Sequence, residues 1–208
     1  MSVHPVVSAI RAQRVVAIIR AESCARAVET GRALFAAGMR AVEVSLTTPG
    51  GLDAIAELNS YRPAPAYLGA GTVLTADKAA AAADAGATFL VAPNLDIAVI
   101  DQGHRDGLAV IPAASTPTEM LQAQAAGADL IKLFPASLWT PAALADVRAA
   151  LPQLGLVPTG GVTLGTAPEW IRAGSVAVGL GSALSEGSVQ DVGHRAAEIV
   201  ATLARAAQ

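Results

Sequence analysis

The sequence predicts a single-domain (β/α)8 TIM barrel with a short N-terminal helix, spanning residues 1–208. Three observations lead to that fold class. First, a unit recurs in which helical sequence ends at Ala-Gly and passes into a short apolar strand: "FAAGMRAVEVSL", "ADAGATFLVAPN", "AQAAGADLIKLFPA" and "IRAGSVAVGLGS". Second, four more apolar runs alternate with these units: "VVAIIR" (15–20), "YLGAGT" (67–72), "LAVIP" (108–112) and "GLVPTGG" (155–161). Interleaved, they make eight strands, each followed by helical sequence, which is the order of a parallel barrel. Third, no Pro/Gly/Ser-rich linker breaks the series. A doubly wound open sheet is the alternative, but that fold usually interrupts its repeat.

The elements follow in order. Residues 2–13 are expected to form the short first helix. The first strand ends at Arg20. Cys24 then sits in "ESCARAVETGRALFAAG", whose spacing is helical, so a packed thiol is expected rather than a nucleophile. The repeated units end at Gly38, Gly86, Gly127 and Gly174, where glycine accepts the left-handed conformation that closes a helix. "TADKAAAAADAG" starts at Thr75 as N-cap. "STPTEMLQAQAAG" carries a stronger start, with Thr116 as cap, Pro117 in the first turn and Glu119 placed for a capping box. Residues 189–206 are expected to form the last helix.

Composition excludes several functions. The formal net charge is −3 and the pI about 5.6, so no nucleic-acid partner is expected. No apolar run approaches the roughly 18 residues that cross a bilayer. The start "MSVHPVVSAIRAQ" has no export-signal pattern, so the expectation is a cytoplasmic protein without a membrane partner. His4, His104 and His194 are scattered, and no metal site is expected from them.

Two charges are placed where charge is expensive. The chain has two lysines, Lys78 and Lys132. Lys78 lies in helical sequence and reads as solvated, as do Glu29, Glu57, Glu169 and Glu198. Lys132 lies inside the strand "GADLIKLFPAS". Glu43 lies between two valines in "RAVEVSL". Counting five residues from each capping glycine gives Glu43, Val91, Lys132 and Gly179, which should share one depth of the barrel. If Glu43 points inward so does Ser45, and if Lys132 does so do Leu130 and Phe134. A buried ion pair is the structural reading, but desolvation offsets much of such a pair's attraction.

The chemical reading is stronger. In water a lysine is protonated up to a pH of about 10.4, and burial lowers that value. A neutral amine attacks a ketone carbonyl and loses water to give an imine, which then lets a neighbouring C–C bond break. Glu43 is the group expected to move the protons. The last two strand ends, "PTGGVTL" and "VGLGSAL", suggest a phosphate site at Gly160, Gly161, Gly181 and Ser182. Arg20 and Thr72, at the ends of the first and third strands, are further candidates for the site of a small-molecule substrate: Arg20 could bind a carboxylate or a phosphate in bidentate fashion, or simply cap its strand at the surface. A phosphosugar isomerase or epimerase, with Glu43 as base, is an alternative on the same fold. A non-catalytic barrel that binds sugar phosphates is a third.

The segments "VVAIIR", "AVEVSLTTP", "LGAGTVLT", "VAPN", "IPAASTPTE", "GADLIKLFPA", "PTGG" and "GLGS" resemble, in order and spacing, the 2-keto-3-deoxy-6-phosphogluconate (KDPG) aldolase family, over residues 14–185. The resemblance implies a class I aldolase on a TIM barrel, homotrimeric, with no metal or other cofactor. It would cleave a phosphorylated keto-deoxy sugar acid to pyruvate and glyceraldehyde 3-phosphate. It assigns the Schiff base to Lys132 and the general acid/base to Glu43. Arg20 and Thr72 would hold the pyruvyl part, Pro93 and Phe134 would shape the pocket, and Thr159 would lie beside the substrate hydroxyls. Gly160, Gly161 and Ser182 would receive the phosphate. Many gluconate-type members have arginine where this chain has Thr47. "VAPN" and "GLGS" resemble the 6-phosphogalactonate aldolases, whereas "PTGG" resembles the gluconate type. 4-Hydroxy-2-oxoglutarate aldolase activity is a further alternative.

Overall fold

The computed structural model describes residues 3–205. Positions 2 and 206, the outer ends expected for the first and last helices, lie outside the described residues. The strands are β1 (Val15–Ile19), β2 (Ala41–Ser45), β3 (Tyr67–Gly71), β4 (Phe89–Val91), β5 (Ala109–Ile111), β6 (Ala113–Ala114), β7 (Ile131–Leu133), β8 (Leu156–Pro158) and β9 (Val178–Leu180). The helices are α1 (Pro5–Gln13), α2 (Cys24–Ala36), α3 (Gly51–Tyr61), α4 (Ala76–Asp84), α5 (Ile97–Arg105), α6 (Pro117–Ala125), α7 (Pro141–Ala150), α8 (Ala167–Arg172), α9 (Ser182–Ser185) and α10 (Val189–Arg205).

All strand pairs are parallel. They form a six-stranded sheet ordered β5-β4-β3-β2-β1-β9 and a three-stranded sheet ordered β6-β7-β8. The hydrogen bonding is thus a curled arrangement of two sheets, not one continuous eight-stranded sheet. Pro112 is one reason. It has no N–H to give a ladder, so it splits the fifth apolar run into β5 and β6. A few bonds join the two sheets: at one junction the bridge between Thr159 and Gly179 and the Val176 N–H donating to the Leu156 carbonyl at 3.0 Å, at the other the Asp129 N–H donating to the Val110 carbonyl at 3.0 Å and the Ala113 N–H to that of Asn94 at 3.2 Å.

The repeated glycines close their helices as the pattern requires. Gly38, Gly86, Gly127 and Gly174 have φ of 85°, 95°, 91° and 101°. In each case the glycine N–H donates to the carbonyl three residues back and the next N–H to the one five back, as in Gly38 to Phe35 and Met39 to Leu34. That pair of bonds is a Schellman cap. Gly107 makes the same two bonds at the end of α5, a fifth copy that the Ala-Gly pattern does not show. α6 has the complete capping box between Thr116 and Glu119. Its Ser115 and Thr116 bonds hold the Glu119 carboxyl below the usual range.

Strand alternation separates two apolar layers. Val15, Ala17, Ile19, Val42, Val44, Leu68 and Leu133 belong to the core that packs under the helices. Val16, Ala41, Phe89, Val91, Ile111, Leu130 and Val157 form a second cluster, joined by Val6, Val7 and Ile10 of α1. Phe89 fills that inner cluster opposite Gly69, where a methyl group would lie 2.5 Å from its ring. Burying each such side chain contributes roughly 1.5–3 kcal/mol. The inner layer is therefore well packed on the α1 side and leaves the other end of the strands for polar groups.

Candidate active site

Glu43 is the middle residue of β2 and Lys132 the middle residue of β7. Both are buried, at 2 % and 8 % exposure. They line one cleft of about 800 Å³ together with Arg20, Thr72, Phe134 and Thr159. Glu43, Val91, Lys132 and Gly179 also meet around a smaller internal space, with Ile18 and Thr159. The common depth expected from the glycine count is therefore present.

The two charges do not form an ion pair. Among the described residues no Lys132–Glu43 contact falls within the 4.0 Å limit for a salt bridge. One Glu43 carboxyl oxygen, Oε2, is buried without a hydrogen-bond partner. The other lies beside Gly71, where a methyl group would come within 2.7 Å of Oε1. Gly71 is thus small because the carboxyl occupies its space. Burial pushes the Glu43 carboxyl up to about 7, against the opposing fields of Lys132 and Arg20. Burial also pulls the Lys132 ammonium below its ordinary value, opposed by Glu43 and assisted by Arg20. The Lys132 Nζ sits 4.8 Å from the centre of the Phe134 ring. A proton acceptor held near neutrality and an amine pushed towards its neutral form share one cavity, with room between them.

The third strand supplies a strained corner. Thr72 follows β3 with φ of 61°, a left-handed conformation that a β-branched residue adopts only under constraint. Such strain costs about 1–3 kcal/mol. The Thr72 hydroxyl is 2.9 Å from Ser45 Oγ, which is 2.8 Å from Thr47 Oγ1. Ser45 does point inward with Glu43, as the strand period requires.

The last two strands supply main-chain donors. Gly160 and Gly161 follow β8 with φ of 84° and 89°. Gly181 and Ser182 begin α9, and all four residues line the cleft. Among the described residues, the N–H groups of Gly160, Gly161, Ser182 and Ala183 donate to no backbone acceptor. Such a cluster suits an anion. Thr159 donates its hydroxyl to the Val157 carbonyl at 3.1 Å. Its side chain occupies the space over Gly179, where a methyl group would lie 2.2 Å from Thr159 Oγ1.

Pro93 lies just past β4 and is not among the residues lining the cleft. Conversely, Glu22, Arg26 and Glu186 line it without having been singled out from the sequence. Arg26 donates to the Gly187 carbonyl. Arg195 donates to the Leu184 carbonyl at 3.1 Å and also to that of Glu186. The two arginines pin the segment after α9. A signal was available for Glu22 and Arg26, because Glu22 lies in the loop after β1 and Arg26 in the first turn of α2, beyond the C-terminal end of a parallel strand, where α/β folds carry their chemistry.

A family model for KDPG and KHG aldolases matches residues 6–200. The chain belongs to that aldolase family. Its members are carbon–carbon lyases. The chain is 37% identical over 192 residues to a Rhizobium meliloti protein named a probable 2-dehydro-3-deoxy-6-phosphogalactonate aldolase, covering 91% of this chain and 89% of that one. It is 35% identical over 159 residues to the 2-dehydro-3-deoxy-phosphogluconate aldolase of Treponema pallidum, covering 76% and 75%. Among solved structures, a native KDPGal structure superposes with a TM-score of 0.88 at 33% identity, covering 93% and 96%. The KDPG aldolase of Legionella pneumophila, with pyruvate captured as a covalent carbinolamine, superposes with a TM-score of 0.80 at 26% identity, covering 96% and 97%. Among the described residues no helix is long and apolar enough to cross a membrane.

Proposed function

We propose that the chain is a Schiff-base aldolase that cleaves 2-keto-3-deoxy-6-phosphogluconate to pyruvate and glyceraldehyde 3-phosphate, with Lys132 as nucleophile and Glu43 as proton carrier. The observation that carries this is the pair of buried, unpaired, oppositely shifted groups in one cleft. The Legionella carbinolamine is the adduct such an amine makes with pyruvate, which supports the same chemistry here. Lys132 attacks the C2 ketone and forms a carbinolamine. Glu43 supplies the proton with which water leaves, giving an iminium. Glu43 then takes the proton of the C4 hydroxyl, the C3–C4 bond breaks, and its electrons flow to the iminium nitrogen. Glyceraldehyde 3-phosphate departs, the enamine is protonated at C3, and hydrolysis frees pyruvate and Lys132.

Arg20 and Thr72 hold the pyruvyl end of the substrate in this reading, beside Phe134. Gly160, Gly161, Gly181 and Ser182 receive the phosphate, and the free N–H groups there support it. Thr159, with its hydroxyl proton already given to Val157, presents its oxygen to a substrate hydroxyl. The two curled sheets act as one single-domain barrel, a reading supported by the repeated β/α units, in a cytoplasmic protein; that it is a homotrimer rests on the family resemblance.

The galactonate epimer is a second reading. It is favoured by the identity to the Rhizobium meliloti protein and by Thr47. The test is pyruvate release from the two epimeric phosphorylated substrates and from 4-hydroxy-2-oxoglutarate. A kcat/KM highest for the gluconate substrate supports the first reading, and highest for the galactonate substrate replaces it. No pyruvate from any of the three refutes both.

A further inference from the structure

Ser45 is buried at 1 % exposure at the end of β2, and the proposed reaction gives it no task. Its single hydroxyl has three neighbours. Thr47 Oγ1 lies at 2.8 Å, Thr72 Oγ1 at 2.9 Å, and the Thr47 N–H donates to it at 3.3 Å. A serine hydroxyl has one proton and two lone pairs. It can therefore donate to only one of the two threonines and must accept from the other.

That constraint gives the three hydroxyls a direction. With three protons and two internal bonds, one proton remains free at one end of the chain. Thr47 is exposed, so water serves its end in either direction. Thr72 lines the cleft. An anion in the cleft selects the direction Thr47 to Ser45 to Thr72, because only then does the Thr72 hydroxyl have a free proton to give. Chained hydrogen bonds polarise one another, so the terminal donor is strengthened. The same bond also fixes Thr72, whose φ of 61° places its side chain on an outlying backbone. The adjoining Thr48 hydroxyl accepts the Ala21 N–H at 3.2 Å, next to Arg20. Residues 45–48 thus hold both Thr72 and the backbone that follows Arg20 from one segment.

We propose that Ser45 is a positioning residue for the acid group of the substrate, turning Thr47, Ser45 and Thr72 into a one-way donor chain that ends in the cleft. The proposal rests on the Schiff-base reading, and its test separates the two. Borohydride trapping of the pyruvate imine is measured against pyruvate concentration for the wild type, Ser45→Ala, Ser45→Thr and Thr47→Val, with thermal melts of each. Ser45→Ala is expected to raise the half-saturating pyruvate about tenfold, while trapping at saturation stays near wild type. Ser45→Thr restores it, because the hydroxyl is kept. Thr47→Val gives a smaller rise, since Ser45 can still donate to Thr72. Unchanged half-saturation in a folded Ser45→Ala overturns the positioning role and leaves the Schiff base standing. So does a loss that Ser45→Thr fails to rescue. Absence of trapping in the wild type overturns the Schiff-base reading itself, and the positioning role with it.

Discussion

The two ends of the inner strand layer are built from the same strands and do opposite work. Near α1, Val16, Phe89, Ile111, Leu130 and Val157 close over Val6, Val7 and Ile10 with no polar atom among their side chains. At the other end Glu43, Lys132 and Thr159 face a cleft, and a buried carboxyl oxygen goes unbonded. Leu130 lies just before β7 and Lys132 is its middle residue, two positions on; Leu130 packs in the inner cluster and Lys132 faces the cleft. The difference between them shows that the strand register assigns stability to one depth and chemistry to another. Stability sacrificed at the second depth is supplied by packing at the first.

Substitutions at the two depths should therefore fail differently. The largest effect is expected for Lys132→Ala: carbon–carbon cleavage falls by at least about 10³-fold, as losing a covalent nucleophile implies. The variant stays folded, because the desolvation cost that disfavours a charge at this position leaves with the side chain. Steady-state cleavage and a thermal melt check both halves. Glu43→Gln comes next, with a loss of about 10²- to 10³-fold for a missing acid/base.

Glu43→Gln should also stabilise the fold. The carboxyl titrates near 7 in the native state and in the ordinary range when unfolded. Native stability is therefore highest below the ordinary value and falls as pH rises through about 7. Above that the buried carboxylate costs up to roughly 3 kcal/mol. Urea melts at pH 4 and pH 8 should show the variant gaining only at pH 8. As a base, Glu43 must be ionised, so wild-type kcat/KM should rise with pH through about 7, and the variant should lose that limb.

Phe89→Ala tests the other depth. It should cost about 3–5 kcal/mol of stability by urea denaturation, while the variant that remains folded keeps its pH profile. Lys78→Ala is the smallest. Lys78 is exposed, and its loss should leave stability within about 0.5 kcal/mol and cleavage unchanged.

Much of this contrast is legible in the sequence, for physical reasons that particular residues show. Glu43 and Lys132 stand out because apolar strands make a charge conspicuous. Gly38, Gly86, Gly127 and Gly174 stand out because positive φ selects for glycine, and they set a shared count that carries the register. The split at Pro112 depends on which N–H a neighbouring strand needs, which the local pattern does not hold. Glu22, Arg26 and Glu186 reach the cleft from a loop, a helix start and the end of α9, and only tertiary placement joins them. The bond from Ser45 to Thr72 crosses between two strands, so two ordinary hydroxyl residues give no local sign of it.

Everything turns on whether the buried Lys132 amine, whose ammonium form burial disfavours, condenses with a keto acid. Incubation with pyruvate and borohydride, followed by digestion and peptide mapping, tests it directly. A reduced adduct is expected on Lys132 and none on Lys78, with cleavage activity lost in proportion. Full turnover with no adduct, or an adduct confined to Lys78, would contradict it.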